Sequence, residues 1–441
     1  MTLKAILIYL RASMWFVPLL VVGAAILLAY SCLAIDNAST ADFARHYPQP
    51  FAGGADSIRV MLASIATSMV TVSGITFSLT ISSLAQVSGQ LTVRVIRNFT
   101  SHITSKLVLG FFVGLFVYCV IVMRTIRIKE DPAGPFVPAL SAWVAMVLAI
   151  IGIGVVVYFI HYIARAVQAS TVVSSVTREA LAVLDKLYPD PLPADSSELV
   201  SSLPAPANGQ VLQTVESRSY GYVQLIDETK LRQFALTNQL ALRVDAATGD
   251  YVTLGSSLVS IIGLPQTVGS AIVKAINGAF IIRQTRAVDE EIAFGIRQLV
   301  DIGLKALSGA SDDTTTAILT LDNLSTVLVK LVQRQLLPTT GTAYFVPKHP
   351  SFASLMAGAM DQLRDTAGGN TVILTRLLYL LMVVGRQTRN PGRRAVLLRH
   401  TRLIADQASA TLHTDYQRNL VQQQLSETLI AFGEEKEPTP H

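Results

Sequence analysis

Three groups of residues have types and spacings that could support binding or chemistry, and the first lies in the uncharged segment 60–93. Hydroxyl and small side chains recur there at the spacing that places them on one face of a helix: Ser64, Thr67, Thr71, Gly74, Ser78 and Ser82. In a membrane, such a face either packs against another helix through close contacts and hydrogen bonds or lines a water-filled path between assembled copies. The sequence leaves both alternatives open.

The second group is a set of arginines in a segment, 366–405, that contains no acidic residue. After Arg376, its members are Arg386, Arg389, Arg393, Arg394, Arg399 and Arg402. They could form a solvated face paired with acids such as Glu427, contact anionic lipid, or hold a phosphate-bearing ligand through guanidinium forks. Nucleic acid is not expected, because Tyr379 is the only aromatic residue among these arginines and gives no platform for base stacking.

The third group is the adjacent pair Asp312 and Asp313, which precedes Thr314 and an apolar-periodic segment. Asp313 is expected to cap a helix, and the alternative of a cation site would need more oxygen ligands than two carboxylates supply. Seven histidines are scattered without ligand spacing, and Cys32 and Cys119 both lie in apolar runs. With no phosphate-binding loop, zinc-protease motif or nucleophile elbow, the sequence predicts no catalytic residues, no metal site, no cofactor and no enzyme.

Long uncharged runs dominate the first part of the chain and determine how these groups are positioned. Only 15% of the residues are charged and 51% are hydrophobic, which is typical of a partly membrane-embedded protein. Four runs are long enough to cross a bilayer, at approximately 12–35, 60–87, 107–123 and 136–160. None contains Asp, Glu, Lys or Arg, so a proton- or ion-coupled carrier is disfavoured. In the third run, Gly110 and Gly114 have the spacing that lets membrane helices approach closely.

The charges that flank these runs predict the orientation and the surroundings of the protein. Lysines and arginines are more frequent beside the amino terminus, the second connection and the segment after the fourth run, so both termini are expected in the cytoplasm. The formal net charge of +5 is compatible with an anionic membrane surface.

The remainder of the chain has ordinary charge density and is expected to form a cytoplasmic α+β region. We expect a connecting helix and Pro-rich linker (166–210), a small β-rich module (211–286) and a helical domain (287–441). Within these, the patterns predict a short helix capped by Asp227, a strand at 342–346, and helices at 288–308, 314–336, 351–367, 371–388 and 393–432. The turn at Gly249 and Asp250 resembles that of a barrel-sandwich fold, but no lysine is placed for modification, so an unmodified module is expected. The predicted fold class is therefore membrane α-helical: a four-helix transmembrane domain (1–165) followed by this cytoplasmic region.

Several short motifs resemble an uncharacterised bacterial family of inner-membrane proteins. They are Gly-Ile-Thr-Phe-Ser-Leu-Thr (74–80), Gly-Tyr-Val-Gln-x-Ile-Asp (221–227) and Phe-Gly-Ile-Arg-Gln-Leu-Val-Asp (294–301). The resemblance implies four amino-terminal crossings in the bacterial inner membrane and a cytoplasmic carboxy-terminal part, but it supplies no activity. The segment 309–317 departs from the family pattern, since two prolines are missing and Asp312 replaces an asparagine.

Taken together, these features predict a non-enzymatic, homo-oligomeric membrane protein, in its most specific form a passive pore lined by the second crossing. The alternative is a membrane-anchored scaffold or regulator that acts through its cytoplasmic region. The expected partners are the lipid bilayer, a second copy of the chain and anionic lipid.

Overall fold

A computed structural model describes most of the chain. The described residues are 15–38, 55–90, 103–127, 136–166, 168–192, 213–262, 269–284, 292–308, 313–336, 345–346, 348 and 350–433. The chain forms two compact units, Met1–Thr171 and Val172–His441, and each is described by itself. The predicted Pro-rich linker and Asp312 lie outside the described residues.

In the part of the first unit that the structure describes, four helices are long and apolar enough to cross a membrane. They are α1 (Phe16–Ala38), α2 (Ala55–Gln90), α3 (Ile103–Thr125) and α4 (Ala139–Ala166). Helix α3 packs against each of the other three, and Phe112 and Tyr118 on α3 are fully buried. The four predicted crossings therefore correspond to four helices.

Helix α1 approaches α3 at the two glycines that the sequence analysis singled out. A Cβ atom added to Gly110 would lie 2.9 Å from the Cα of Pro18, and one added to Gly114 would lie 3.2 Å from the Cβ of Ala25. Only glycine fits such a close backbone contact, and lipid-embedded helices gain attraction from it through dispersion.

Helix α2 is much longer than a bilayer crossing requires. Its 36 residues extend about 54 Å at about 1.5 Å per residue, whereas the hydrocarbon core is about 30 Å thick. One face packs on α3 and α4 through Leu62, Ala66, Met69 and Ser73, all of which are buried. The crossing predicted at 60–87 therefore lies within a longer helix.

The second unit contains nine of the described helices and seven strands. The helices are α5 (Ala169–Leu187), α6 (Glu228–Asn238), α7 (Ser270–Asn277), α8 (Ile292–Leu307), α9 (Thr314–Leu331), α10 (Phe352–Ala367), α11 (Thr371–Gly385), α12 (Pro391–Thr411) and α13 (Asp415–Phe432). The strands are β1 (Gln213–Glu216), β2 (Gly221–Ile226), β3 (Ala241–Val244), β4 (Tyr251–Val252), β5 (Ser257–Ile262), β6 (Phe280–Arg283) and β7 (Phe345–Val346).

The strands form two sheets, one of four strands in the order β1-β5-β3-β7 and one of three in the order β4-β2-β6. All described pairs are antiparallel except β3 with β7, where Leu242 lies opposite Phe345. The predicted strand near 342–346 is therefore confirmed as β7, and it adds a strand from the later, helical part of the chain to the sheet. The barrel-sandwich form of the module stays a prediction.

The helical pattern of the carboxy-terminal part is confirmed with one correction. Asp227 and Asp313 cap α6 and α9, and each side chain accepts a hydrogen bond from a backbone N–H in the first turn. The single helix predicted at 393–432 is wrong, because the chain breaks at 412–414 and Thr414 begins α13 with a capping box. The short helix α7 was not predicted, and α5 is a separate helix, beginning after α4 has ended at Ala166.

Helix α11 is the centre of the helical packing in this unit. It contacts α9, α10, α12 and α13, and most of its side chains are buried. At its end, Gly385 accommodates the ring of Phe432, which a Cβ atom would overlap.

Candidate functional site

The hydroxyl face of α2, defined as Ser64, Thr67, Thr71, Gly74, Ser78 and Ser82, points away from the other three helices. All six residues are exposed, whereas the buried residues of α2 lie on the opposite side of the helix. The interface that α2 forms with α3 and α4 contains different hydroxyl residues, Ser73, Thr76 and Ser83. Among the described residues of the first unit, the hydroxyl face is therefore not a packing seam.

Several hydroxyls on and beside this face are hydrogen-bonded to their own helix. The hydroxyls of Thr67, Ser68 and Thr71 donate to the carbonyl oxygens four residues earlier, at 2.9, 2.8 and 3.0 Å. Such local bonds reduce the cost of placing a hydroxyl in an apolar medium, and each oxygen keeps a lone pair for a further donor. The face can therefore meet lipid, another helix or water.

Two residues in the middle of the face bear on these alternatives. A Cβ atom on Gly74 would meet no other atom within 4 Å, so packing within one chain does not require glycine there. Ile75 projects between Thr71 and Ser78 at helical spacing and is exposed. It is the large apolar side chain in an otherwise small and polar stripe.

A buried carboxylate ties together three helices of the first unit. Asp36 near the end of α1 accepts hydrogen bonds from the backbone N–H groups of Leu140 and Ser141, both 2.9 Å, and from the Ser141 hydroxyl at 2.6 Å. Tyr118 on α3 donates to the Ser141 carbonyl at 3.0 Å. Because α4 begins after Pro138, which offers no side-chain acceptor, Asp36 acts as its N-terminal cap from another helix.

This cluster corrects the sequence-based assignment of ionisable residues. The first predicted crossing ends at residue 35 and the third begins at residue 107, which leaves Asp36 and Lys106 outside them, but α1 extends to Ala38 and α3 begins at Ile103. Both residues are buried inside helices, at 9% and 5% exposure. The uncapped start of α4 was the one available signal for Asp36, since a helix without its own cap needs an acceptor from elsewhere.

The arginines of the segment 366–405 have three different environments. Arg393 is 1% exposed, donates to the carbonyl oxygens of Leu331 and Val332 at 3.0 and 2.9 Å, and lies over the ring of Phe352. It thus provides hydrogen-bond donors to carbonyl oxygens at the carboxy-terminal end of α9, so it is not available to a lipid or ligand in this structure. Arg376 pairs with Asp322 at 2.5 Å.

The other arginines lie at the surface. Arg386 and Arg389, which are exposed, lie in the connection between α11 and α12. Arg394 is half-buried in the first turn of α12, and its Nε donates to the Thr388 carbonyl at 3.2 Å. Arg399 and Arg402, also exposed, follow on α12. We call Arg386, Arg389 and Arg394 the arginine loop. Within the described residues, none of the three forms an ion pair with an acid.

A cavity of about 290 Å³ lies beside the turn at Gly249 in the second unit. Its lining includes Lys186, Tyr188, Leu225, Glu228 and Lys348. Lys348 is already bonded to the carboxylate of Asp250 and the carbonyl of Asp245, at 2.9 and 2.8 Å. The volume of the cavity is near the lower limit of ligand pockets. Of the two lysines that line it, Lys348 is neutralised by Asp250.

Behind this cavity, Asp245 is held by several donors. Burial works against its ionised form, but hydrogen bonds from Ser257, Ser260 and Arg243 keep the pKa of Asp245 below its usual value. The contacts are those of a structural carboxylate that joins β3, β5 and the following turn. Within the described ranges, no three His, Cys, Asp or Glu side chains come together in a way that could hold a metal ion.

Comparison with known proteins agrees with this architecture. The model of a family described as "Predicted membrane protein (DUF2254)" matches residues 11–382, more than half of the chain. The chain is 29% identical over 432 residues to three uncharacterized mycobacterial proteins, covering 95% of this chain and 80% of each relative. They are MT1328 and Rv1290c from two strains of Mycobacterium tuberculosis and Mb1321c from Mycobacterium bovis. No solved structure matches the chain significantly.

Proposed function

The chain belongs to the DUF2254 family of predicted membrane proteins, and from this premise we propose that it is a non-enzymatic, multi-pass protein of the bacterial inner membrane that works as a homo-oligomer. In its most specific form the proposal is a passive pore, in which α2 of neighbouring copies contributes the hydroxyl face. The excess of lysine and arginine on one side of the crossings favours cytoplasmic termini.

The observation that carries the proposal is the outward direction of the hydroxyl face. Lipid tails offer no donors or acceptors, so six small or hydroxyl-bearing positions in one stripe gain nothing from contact with lipid. A second helix could approach closely at Gly74, where a Cβ atom would meet nothing within the chain, and could bond to the hydroxyls. Self-association would therefore give the stripe a partner that the single chain does not supply.

A ring of copies could instead turn the same face toward a central, water-filled path. Ile75 would then form an apolar constriction between the levels of Thr71 and Ser78, and such constrictions restrict flow by excluding water. The described ionisable side chains of the four helices, such as Asp36 and Lys106, lie near helix ends. This distribution favours passive flow over a coupled carrier, which uses ionisable groups inside the membrane.

The first experiment measures the mass of the full-length protein in detergent and in nanodiscs. A multiple of the 47.5 kDa chain mass is expected, and a monomer in both media would refute the homo-oligomer and with it the pore. Gly74→Leu is expected to weaken the assembly, because a large side chain separates the helices, while Gly23→Leu on α1 is a control with equally open surroundings.

The second experiment measures ion flux into liposomes that contain the protein. Thr71→Leu and Ser78→Leu are expected to reduce flux, and Ile75→Ser is expected to increase it. Ser31→Leu is the matched control, because Ser31 is an exposed hydroxyl on α1 that also bonds to the carbonyl four residues earlier. Equal flux in all four variants would remove the hydroxyl face from any permeation path.

The second candidate function is a membrane-anchored scaffold or regulator, favoured by the size of the second unit and by its exposed arginine loop. A monomeric mass without flux would support this candidate, because four packed helices in one chain leave no water path.

A further inference from the structure

We propose that the arginine loop binds the phosphate groups of anionic phospholipid, so that the second unit carries its own membrane-recognition surface. This inference is independent of the pore, because it involves neither α2 nor the oligomeric state.

The three arginines of the loop have surroundings different from those of Arg376 and Arg393. Arg376 is neutralised by Asp322, and Arg393 is buried against the end of α9. Arg386, Arg389 and Arg394 remain within nine positions of one another at the surface. No acid from the described part of the chain pairs with them, so within that part their positive charge is not neutralised and can attract an anion.

The backbone of the loop is held in one arrangement before any ligand arrives. The side chain of Asn390 accepts the N–H of Arg393 at 3.1 Å and begins α12. The Arg394 guanidinium is fixed by the Thr388 carbonyl, and buried Arg393 anchors the start of α12. A held backbone and one fixed guanidinium reduce the conformational entropy that the arginine loop loses on binding.

The chemistry of guanidinium groups and the attachment of the second unit to the membrane helices both indicate which anion binds. Guanidinium groups bind phosphate oxygens through paired N–H donors, and the start of the 21-residue helix α12 adds a favourable field for an anion. The second unit is covalently joined to four crossings, so phospholipid is the phosphate it meets at the highest effective concentration. Tyr379 pairs with Arg376 and not with the loop, so the loop has no stacking platform for a nucleotide base.

The test uses the full-length protein in a neutral detergent, titrated with dihexanoyl phosphatidylglycerol, dihexanoyl phosphatidylcholine or inorganic phosphate, with thermophoresis as the readout. Each cation beside an anionic surface strengthens association about fivefold, and three about 100-fold. The triple variant Arg386→Gln, Arg389→Gln, Arg394→Gln is therefore expected to bind phosphatidylglycerol about 100-fold more weakly. The wild-type protein is expected to prefer phosphatidylglycerol to both other probes, and the preference should decline in high salt.

The matched control removes three exposed cations elsewhere on the second unit, through Lys274→Gln, Arg283→Gln and Lys305→Gln. It is expected to change the affinity for phosphatidylglycerol less than threefold. An equal loss of affinity in both triple variants would mean that net charge alone explains the binding, and it would refute the arginine loop as the site. Replacement of the three loop arginines by lysine keeps the charge but removes the paired N–H donors, so its binding should lie between that of the wild-type protein and that of the glutamine variant. Tighter binding of free phosphate than of phosphatidylglycerol would overturn the lipid as the ligand.

Discussion

The cap that Asp36 provides to α4 gives the sharpest test of how the first unit is stabilised. Replacing Asp36 by alanine removes the acceptor for two backbone N–H groups and one hydroxyl, all within 2.9 Å of its oxygens. Loss of an N-cap costs about 0.5–2 kcal/mol, and each buried donor left without a partner costs about 1–3 kcal/mol. Because the hydroxyl can turn to another acceptor, we expect the unfolding free energy of the first unit to fall by about 2–4 kcal/mol.

The assay follows tryptophan fluorescence while sodium dodecyl sulfate is added to the protein in mixed micelles. The chain contains two tryptophans, Trp15 and Trp143, both in the first unit, so the signal reports this unit alone. Asp36→Asn keeps one acceptor oxygen and should lie between the wild-type protein and Asp36→Ala. The control is Asp56→Ala, which removes an exposed carboxylate from the first turn of α2 and should cost less than about 1 kcal/mol.

Two results would contradict this account of the cap. One is an Asp36→Ala variant that unfolds at the same detergent fraction as Asp56→Ala. The other is a double-mutant cycle with Ser141→Ala that gives no coupling energy, although the hydroxyl and the carboxylate are 2.6 Å apart.

Three further predictions test packing and electrostatics in both units. Arg393→Met should lower the unfolding free energy of the second unit by about 2–4 kcal/mol, because buried carbonyls lose charged donors. The control Arg376→Met removes a half-exposed ion pair worth about 0.2–1 kcal/mol. Urea unfolding followed by circular dichroism measures both. Burial is the main cause that lowers the pKa of His400 in the folded protein. The unfolded chain therefore takes up the proton first as the pH falls below about 6.5. Stability in urea should decrease from pH 7 to pH 5.5, and His400→Leu should remove part of that decrease. Gly110→Ala should destabilise the first unit by about 1–3 kcal/mol through the overlap with α1. Gly154→Ala should not destabilise it, because a Cβ atom there meets nothing within 4 Å. The tryptophan assay compares the two variants.

Each of these expectations has an outcome that would contradict it. Equal losses in the two arginine variants would mean that burial adds nothing to the Arg393 contacts. A pH dependence that persists unchanged in His400→Leu would assign it to other groups. Equal stability of the two glycine variants would show that α1 does not approach α3 as closely as described.

The local features of the fold could be predicted because they depend on residues close together in the sequence. An uncharged run of sufficient length forms a crossing whatever surrounds it, since every backbone polar group must be bonded inside the membrane. The caps Asp227 and Asp313 bond to N–H groups three residues later, so the spacing alone identifies them. The break before Thr414 is also local, and its capping box was present in the sequence but went unrecognised.

Features that join distant parts of the chain could not be derived in this way. Asp36 and Ser141 are separated by more than a hundred residues, and no periodicity relates them. The seven arginines of one segment look alike in the sequence, yet Arg393 turns into the protein while Arg386 and Arg389 stay at the surface. Burial of a charge depends on whether distant carbonyls or acids are placed to receive it.

The hydroxyl face of α2 shows the same division most clearly. The sequence by itself determined that six small or hydroxyl-bearing residues share one face of a membrane helix, because the helical period is fixed by backbone geometry. Only the tertiary structure decided that this face points outward, because α3 and α4 pack against the opposite side, on Leu62, Ala66 and Met69. Which face a helix buries depends on the shapes of its neighbours, and those shapes exist only once the helices have packed together.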